Sequence, residues 1–217
     1  MAATEPATQG RENQGSTGQD RAHQDRADHG RTVVRVWALV ALALVALAVY
    51  GFDQITKYLI TENLRVGEQV PVVGELLQFH FVKNSGAAFS LASGSTWFFS
   101  IVASAVVIFI VWYARRIRST GWAILFGMLL GGTLGNLTDR LFREPSFGLG
   151  HVVDFIQVWG FPAIFNVADS FIVASMGLFI ILTVRGIGLD GRRHARLAAT
   201  ESAPVADTVP SDAPSDT

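Results

Sequence analysis

Charged and amide side chains recur at the edges of the apolar runs in this 217-residue chain: Asp53 and Lys57, Asn136, Asp139 and Arg140, Asp154 within HVVDFIQV, and Asn166 and Asp169 within FPAIFNVADSF. A charge near hydrocarbon costs a few kcal/mol at the centre of a span and less towards its ends, so such groups face protein and pair. At a spacing of four, Asp53 and Lys57 share a helix face. Pairing Asp53 with Lys57 and Asp139 with Arg140 leaves two carboxylates over, Asp154 and Asp169. If these approach to hydrogen-bonding distance they cannot both ionise comfortably, and the pair holds one shared proton. The ionised member can then take a proton from water while the protonated member polarises a scissile carbonyl, which is amide hydrolysis without a cofactor. The chain has no cysteine, so thiolate metal sites, disulfides and a cysteine nucleophile are excluded.

Blander and rival readings stand beside this one. Ion pairs at a helix end can be purely structural, Asn136 and Asn166 can be buried amides with satisfied hydrogen bonds, and Gly131, Gly132 and Gly135 can mark close helix packing. Ser170 or Ser146 with His151 and Asp154 could form a serine hydrolase, but no G-x-S-x-G elbow is present. An ion or proton carrier would place its acids near the bilayer midplane, whereas these cluster at one rim. A scaffold without activity would need none of the leftover acids.

The elements that must position these groups are membrane spans. Half of the residues are hydrophobic and they are bunched between polar ends. Four apolar runs approach the roughly 20 residues that cross a bilayer as a helix; the expected helices are 33–60, 97–114, 121–142 and 163–185. Arg31 and Arg35, then Arg115, Arg116 and Arg118, then Arg185, Arg192, Arg193 and Arg196 all fall on one face of a four-span bundle. The positive-inside rule makes that face cytoplasmic, with both termini. The long connection between the first two helices carries GEQVPVVGELLQFHFVKNSGAAFS, whose alternation and Gly and Pro punctuation predict short strands over about 64–92. The expected fold is mainly α, four transmembrane helices with a small extracytoplasmic β-sheet between helices 1 and 2. Residues 1–30 and 191–217 read as disordered cytoplasmic tails flanking a single membrane domain at 31–190. A formal net charge of −1 with arginines scattered along membrane flanks argues against a nucleic-acid partner.

Five segments in order, DQITK (53–57), NSGAAF (84–89), GGTLGNLTDR (131–140), VVDF (152–155) and FNVAD (165–169), make the chain resemble the lipoprotein signal peptidase (signal peptidase II) family of bacterial membrane aspartyl proteases. The resemblance implies cleavage of a signal peptide immediately before a diacylglyceryl-modified cysteine of a prolipoprotein. It implies Asp154 and Asp169 as the catalytic dyad. Asn84, Gly132, Asn136, Arg140 and Asn166 fall where the family holds the substrate backbone or supports the dyad, and Asp53 and Lys57 where it stabilises the site. It also implies a β-cradle, a short mobile helix over the site, inhibition by globomycin, no metal and no other cofactor. The expected setting is the bacterial cytoplasmic membrane, with the site at the outer face and the protein acting as a monomer among membrane lipids.

Overall fold

A computed structural model describes residues 13–86 and 96–191, with side chains from Val36 onward. The elements run α1 (Asn13–Asn63), β1 (Gln69–Val73), β2 (Leu77–Asn84), α2 (Thr96–Tyr113), α3 (Thr120–Phe142), β3 (Val152–Val158) and α4 (Val167–Val184). Four stretches are long and apolar enough to cross a membrane: Val36–Asn63, Thr96–Arg116, Thr120–Phe142 and Val167–Val184. Their outward side chains show what solvent they expect, since Leu44, Leu47, Ile108 and Val184 are each more than 60% exposed. Contiguous apolar surface on that scale belongs against lipid.

The span with the lowest mean hydropathy, 1.2 against 2.1 or 2.2, is α3. It is also the central helix, packed against α1, α2 and α4, so its surface meets protein rather than lipid. Glycines make that closeness possible. A Cβ on Gly131 would lie 2.5 Å from the Ala46 carbonyl oxygen of α1, and one on Gly132 would lie 2.7 Å from the Ala168 carbonyl oxygen of α4. With no hydrophobic drive between helices in lipid, such backbone approach supplies the packing energy. An apolar core that includes Leu42, Ala46, Ile110, Trp122, Leu125 and Leu182 fills the bundle.

At one end of the bundle sits a three-stranded antiparallel sheet in the order β1-β2-β3. The β1–β2 hairpin turns through Gly74, whose φ of +52° is open to glycine at little cost. Strands β2 and β3 pair Val82 with Asp154, Lys83 with Val153 and Asn84 with Val152. A second apolar cluster of Ile60, Phe81, Val153, Phe155 and Val167 ties the sheet to α1 and α4.

Four expectations need correction. The sheet is not drawn from 64–92 alone, because its third strand comes from between helices 3 and 4. Residues 152–155 are buried on both faces, so VVDF lacks the polar alternation that marks a half-exposed strand. Helix α4 starts at Val167 rather than 163, since Phe165 exchanges backbone hydrogen bonds with Ile156 of β3 and Asn166 caps the helix. Helix α1 begins at Asn13, inside the stretch 1–30 expected to be disordered; extending an existing helix through a proline-free segment needs no new nucleus. Asp139 does not pair with Arg140, as described below. Residues 1–12, Ala87–Phe89 of the NSGAAF segment, and Arg192, Arg193 and Arg196 with the remainder of the 191–217 tail lie outside the described residues. Among the described residues of the α1–α2 connection there is no short helix.

Candidate active site

Asn166 is the residue on which the two leftover carboxylates converge. As N-cap of α4 its side-chain oxygen accepts from the Asp169 N–H at 2.9 Å, and its own backbone N–H donates to Asp169 Oδ2 at 3.2 Å, a reciprocal capping box. Its Nδ2 donates to Asp154 Oδ1 at 2.6 Å and to Asn136 Oδ1 at 3.1 Å. One fully buried residue thus donates to both acids, by its side-chain amide to the strand acid and by its backbone N–H to the helix acid. Among the described hydrogen bonds none runs directly between Asp154 and Asp169, so the two are coupled through Asn166 and through space.

Each carboxylate has a second amide donor. Asn84, at the end of β2, gives Nδ2 to Asp154 Oδ2 at 2.8 Å, and its Oδ1 accepts from the Gly86 N–H. Asn136 of α3 gives Nδ2 to Asp169 Oδ1 at 2.8 Å. The environments differ. Asp154 is 2% exposed, whereas Asp169 is half-buried. Burial pushes the Asp154 carboxyl up to about 6 from 3.8; the Asn84 and Asn166 hydrogen bonds pull it down, and the nearby Asp169 charge pushes it up.

Beneath the two acids lies a buried charge cluster. The Lys57 ammonium meets Asp53 and Asp139 at 2.8 Å each and donates to Asn136 Oδ1 at 2.9 Å, which uses all three of its N–H groups. Arg143 Nε donates to Asp139 at 2.6 Å, so two carboxylates face two cations. Buried ions persist only when paired and hydrogen-bonded, as Asp53, Lys57 and Asp139 are, while Arg143 is partly exposed. The remaining lone pairs grip backbone: Asp53 accepts from the Ala168 N–H at 2.9 Å, and Asp139 from the Val153 N–H at 3.2 Å. Ala168 immediately precedes Asp169 and Val153 immediately precedes Asp154. Lys57 therefore joins two clamps, one behind each acid.

Asp139 reaches Lys57 and Arg143 rather than Arg140 because adjacent helical residues point about 100° apart, while i and i+4 share a face. The Arg140 guanidinium lies instead 5.2 Å from the centre of the Phe99 ring, with a buried Nη1 that has no hydrogen-bond partner among the described residues. Gly132 carries no polar side chain to the site; its part is to let the first turn of α4 approach α3 at Ala168. Asp53, Lys57, Asn84, Asn136, Asp154, Asn166 and Asp169 meet in one hydrogen-bonded network. Arg143 escaped sequence reasoning, although its i+4 spacing from Asp139 was a usable signal. The Ala168 and Val153 amides carry no sequence signal at all. The serine alternative finds no geometry, since the Ser170 hydroxyl donates to the Asn166 carbonyl and no described hydrogen bond joins it to His151. Among the described residues no cluster of His, Asp and Glu could hold a metal ion.

A family model described as "Signal peptidase (SPase) II" matches residues 45–185, which include every residue of this network. The chain belongs to the signal peptidase II family. Members of this lipoprotein signal peptidase family process prolipoproteins. The lipoprotein signal peptidase of Leifsonia xyli subsp. xyli is 62% identical over 186 residues, 85% of this chain and 86% of that one. That of Mycobacterium tuberculosis (strain H37Rv) is 45% identical over 153 residues, 70% and 75% of the two chains. Two solved structures share the fold. One, described as "Bacterial membrane enzyme structure by the in meso method at 1.9 A resolution", has a TM-score of 0.59 at 32% identity and covers 66% of this chain and 92% of its own. The other, described as the same kind of structure at 2.3 A, has a TM-score of 0.60 at 30% identity and covers 71% and 94%. A peptidase in a multi-pass bacterial membrane protein is the activity the family implies.

Proposed function

We propose that this signal peptidase II is an aspartyl endopeptidase that removes the signal peptide from diacylglyceryl-modified prolipoproteins, cutting just before the lipid-bearing cysteine. The observation that carries the proposal is that one residue, Asn166, donates to both carboxylates, through its side-chain Nδ2 to Asp154 Oδ1 and through its backbone N–H to Asp169 Oδ2. It holds two carboxyl groups of unequal exposure at one place, which favours one shared proton. Asp154, the more buried, keeps that proton; Asp169, open on one side, is the base.

In this reading Asp169 takes a proton from a water whose oxygen attacks the scissile carbonyl carbon, while the Asp154 proton hydrogen-bonds to the developing oxyanion. The carbon–nitrogen bond then breaks as the leaving nitrogen receives a proton from the pair. One carboxyl is protonated and one ionised at the start and at the end, so the cycle closes with no cofactor. Arg140, with its unpartnered Nη1, and the Asn84 and Asn136 amides are the groups suited to substrate backbone, while Asp53 and Lys57 hold the site together. The arginine-rich turn at Arg115–Arg118 supports a cytoplasmic placement of that end and of both termini, with the sheet and the dyad at the outer membrane face. There water reaches the amide while the lipid stays in hydrocarbon. The same site is the expected target of globomycin, and 31–190 is the working unit, a monomer.

Asp154→Asn and Asp169→Asn test the assignment. Each is expected to lower turnover of a lipid-modified precursor by about 10²–10⁴-fold in the purified protein, with the uncleaved lipidated precursor resolved by mass spectrometry. Both variants are expected to insert and melt as the parent does. Near-parental cleavage by either overturns the dyad.

A further inference from the structure

Behind the sheet, on the face away from Asp154, lies a cavity of about 570 Å³ that the proposed reaction does not use. Successive strand residues face opposite sides. Asn84 and Asp154 point to the acids, and their neighbours Lys83 and Val153, paired in register, line this cavity. It opens where two spans end, between Thr61 near the end of α1 and Phe142 at the end of α3.

The lining is chemically mixed in one specific way. Arg65, Lys83 and Arg143 bring three cations and Glu144 one carboxylate, an excess of two positive charges. Glu144 is spoken for by Lys83 at 3.0 Å. The Arg65 side chain makes no ion pair among the described residues, where only its backbone N–H and carbonyl are engaged, both with Glu68. Arg143 spends Nε on Asp139, and no described hydrogen bond uses its two Nη groups. Beside these cations the cavity is walled by Leu64, Phe81 and Phe142, the last of them 75% exposed and in edge contact with the equally exposed Phe147. Free guanidinium forks match a phosphate bidentately. Apolar walls at a span end serve no free anion, but they suit the glycerol and first methylenes of a lipid whose head sits at the interface.

We infer that this cavity seats the phosphodiester headgroup of an anionic phospholipid at the membrane boundary, held by Arg65, Lys83 and Arg143. The site is separate from the peptide-cleaving acids and does not depend on their assignment. It is linked to them by one ion pair, since Arg143 also grips Asp139, which holds the Val153 N–H beside Asp154.

Native mass spectrometry of the full chain, titrated in detergent with phosphatidylglycerol or phosphatidylcholine, tests this. One phosphatidylglycerol is expected to be retained at concentrations where phosphatidylcholine is lost. Arg65→Gln and Lys83→Gln, both at exposed positions, are each expected to weaken it about fivefold, at about 1 kcal/mol per cation near a membrane surface. Arg116→Gln at the other end of the bundle is the control and should change nothing. Equal retention of the two lipids, unchanged binding in both variants, or an equal loss with Arg116→Gln overturns the inference. Competition by millimolar inorganic phosphate as effective as that by the lipid shows a free-anion site and overturns the lipid assignment. Arg143→Gln also strips a partner from buried Asp139, so its effect on lipid binding mixes with one on stability.

Discussion

Replacing Asn84 with alanine removes one of the two amide donors on Asp154 and leaves the carboxyl in place. The lost contact is a 2.8 Å hydrogen bond to the ionised form, so its removal favours the protonated form. A hydrogen bond to a charged group contributes about 1.5–3 kcal/mol, and one pKa unit corresponds to about 1.4 kcal/mol. Uncompensated, the loss raises the Asp154 pKa by one to two units. Water entering beside half-exposed Asp169 replaces part of the contact, so a rise of about one unit is expected, from about 6 to roughly 7. Activity in the proposed mechanism requires Asp154 protonated, so kcat/KM of the parent falls as pH rises through about 6 and that alkaline limb moves upward by about one unit in the variant. The absolute rate also drops, because Asn84 anchors the Gly86 amide, but the position of the limb is insensitive to that loss. The assay is a kcat/KM profile from pH 5 to about 9 on a synthetic lipidated precursor peptide, with stability checked at each end. An alkaline limb that stays put, or shifts to lower pH, refutes Asp154 as the proton-holding member.

Lys57→Met leaves Asp53 and Asp139 buried without their shared cation and is expected to cost about 3–5 kcal/mol in reversible unfolding from mixed micelles; adding Asp53→Asn to that variant should recover part of the loss. Gly131→Ala places a Cβ against the Ala46 carbonyl oxygen at 2.5 Å and should destabilise the α1–α3 contact by about 1–3 kcal/mol, whereas Gly177→Ala, with nothing within 4 Å of the new Cβ, should be neutral in the same melt.

Much of the architecture was legible in the chain because membrane spans declare themselves by length. The ends of the runs at Phe142 and Val184 are legible to within a residue, and short strands in the first long connection are legible from its alternation and its Gly and Pro punctuation. Strand β3 was not, since VVDF is buried on both faces and reads like any short apolar run. The start of α4 was misplaced because Ala163–Phe165 is apolar yet pairs with β3 before the Asn166 cap. For the site, counting charges left Asp154 and Asp169 over, and they do converge on Asn166. The same counting pairs Asp139 with Arg140, its neighbour in sequence, whereas on a helix the residue that shares its face is Arg143 at i+4. Lys57 has partners on two helices, and the second of these, on α3, lies beyond any local pattern. The amides of Val153 and Ala168 could be found only by asking where buried carboxylate lone pairs go.

The clamp around Lys57 draws on distant parts of the chain: Asp53 and Lys57 come from α1, Asp139 and Arg143 from the end of α3, and the gripped amides from β3 and α4. Asn166, which joins the two acids, does not exist as a cap until α4 has begun. A nascent chain that has delivered only three spans to the bilayer already holds every partner of the Lys57 ammonium but carries only one half of the acid pair, and Asp53 still lacks the Ala168 N–H. In the proposed mechanism proteolytic competence arrives with the last span, so during synthesis the order of insertion acts as a safety catch on the enzyme.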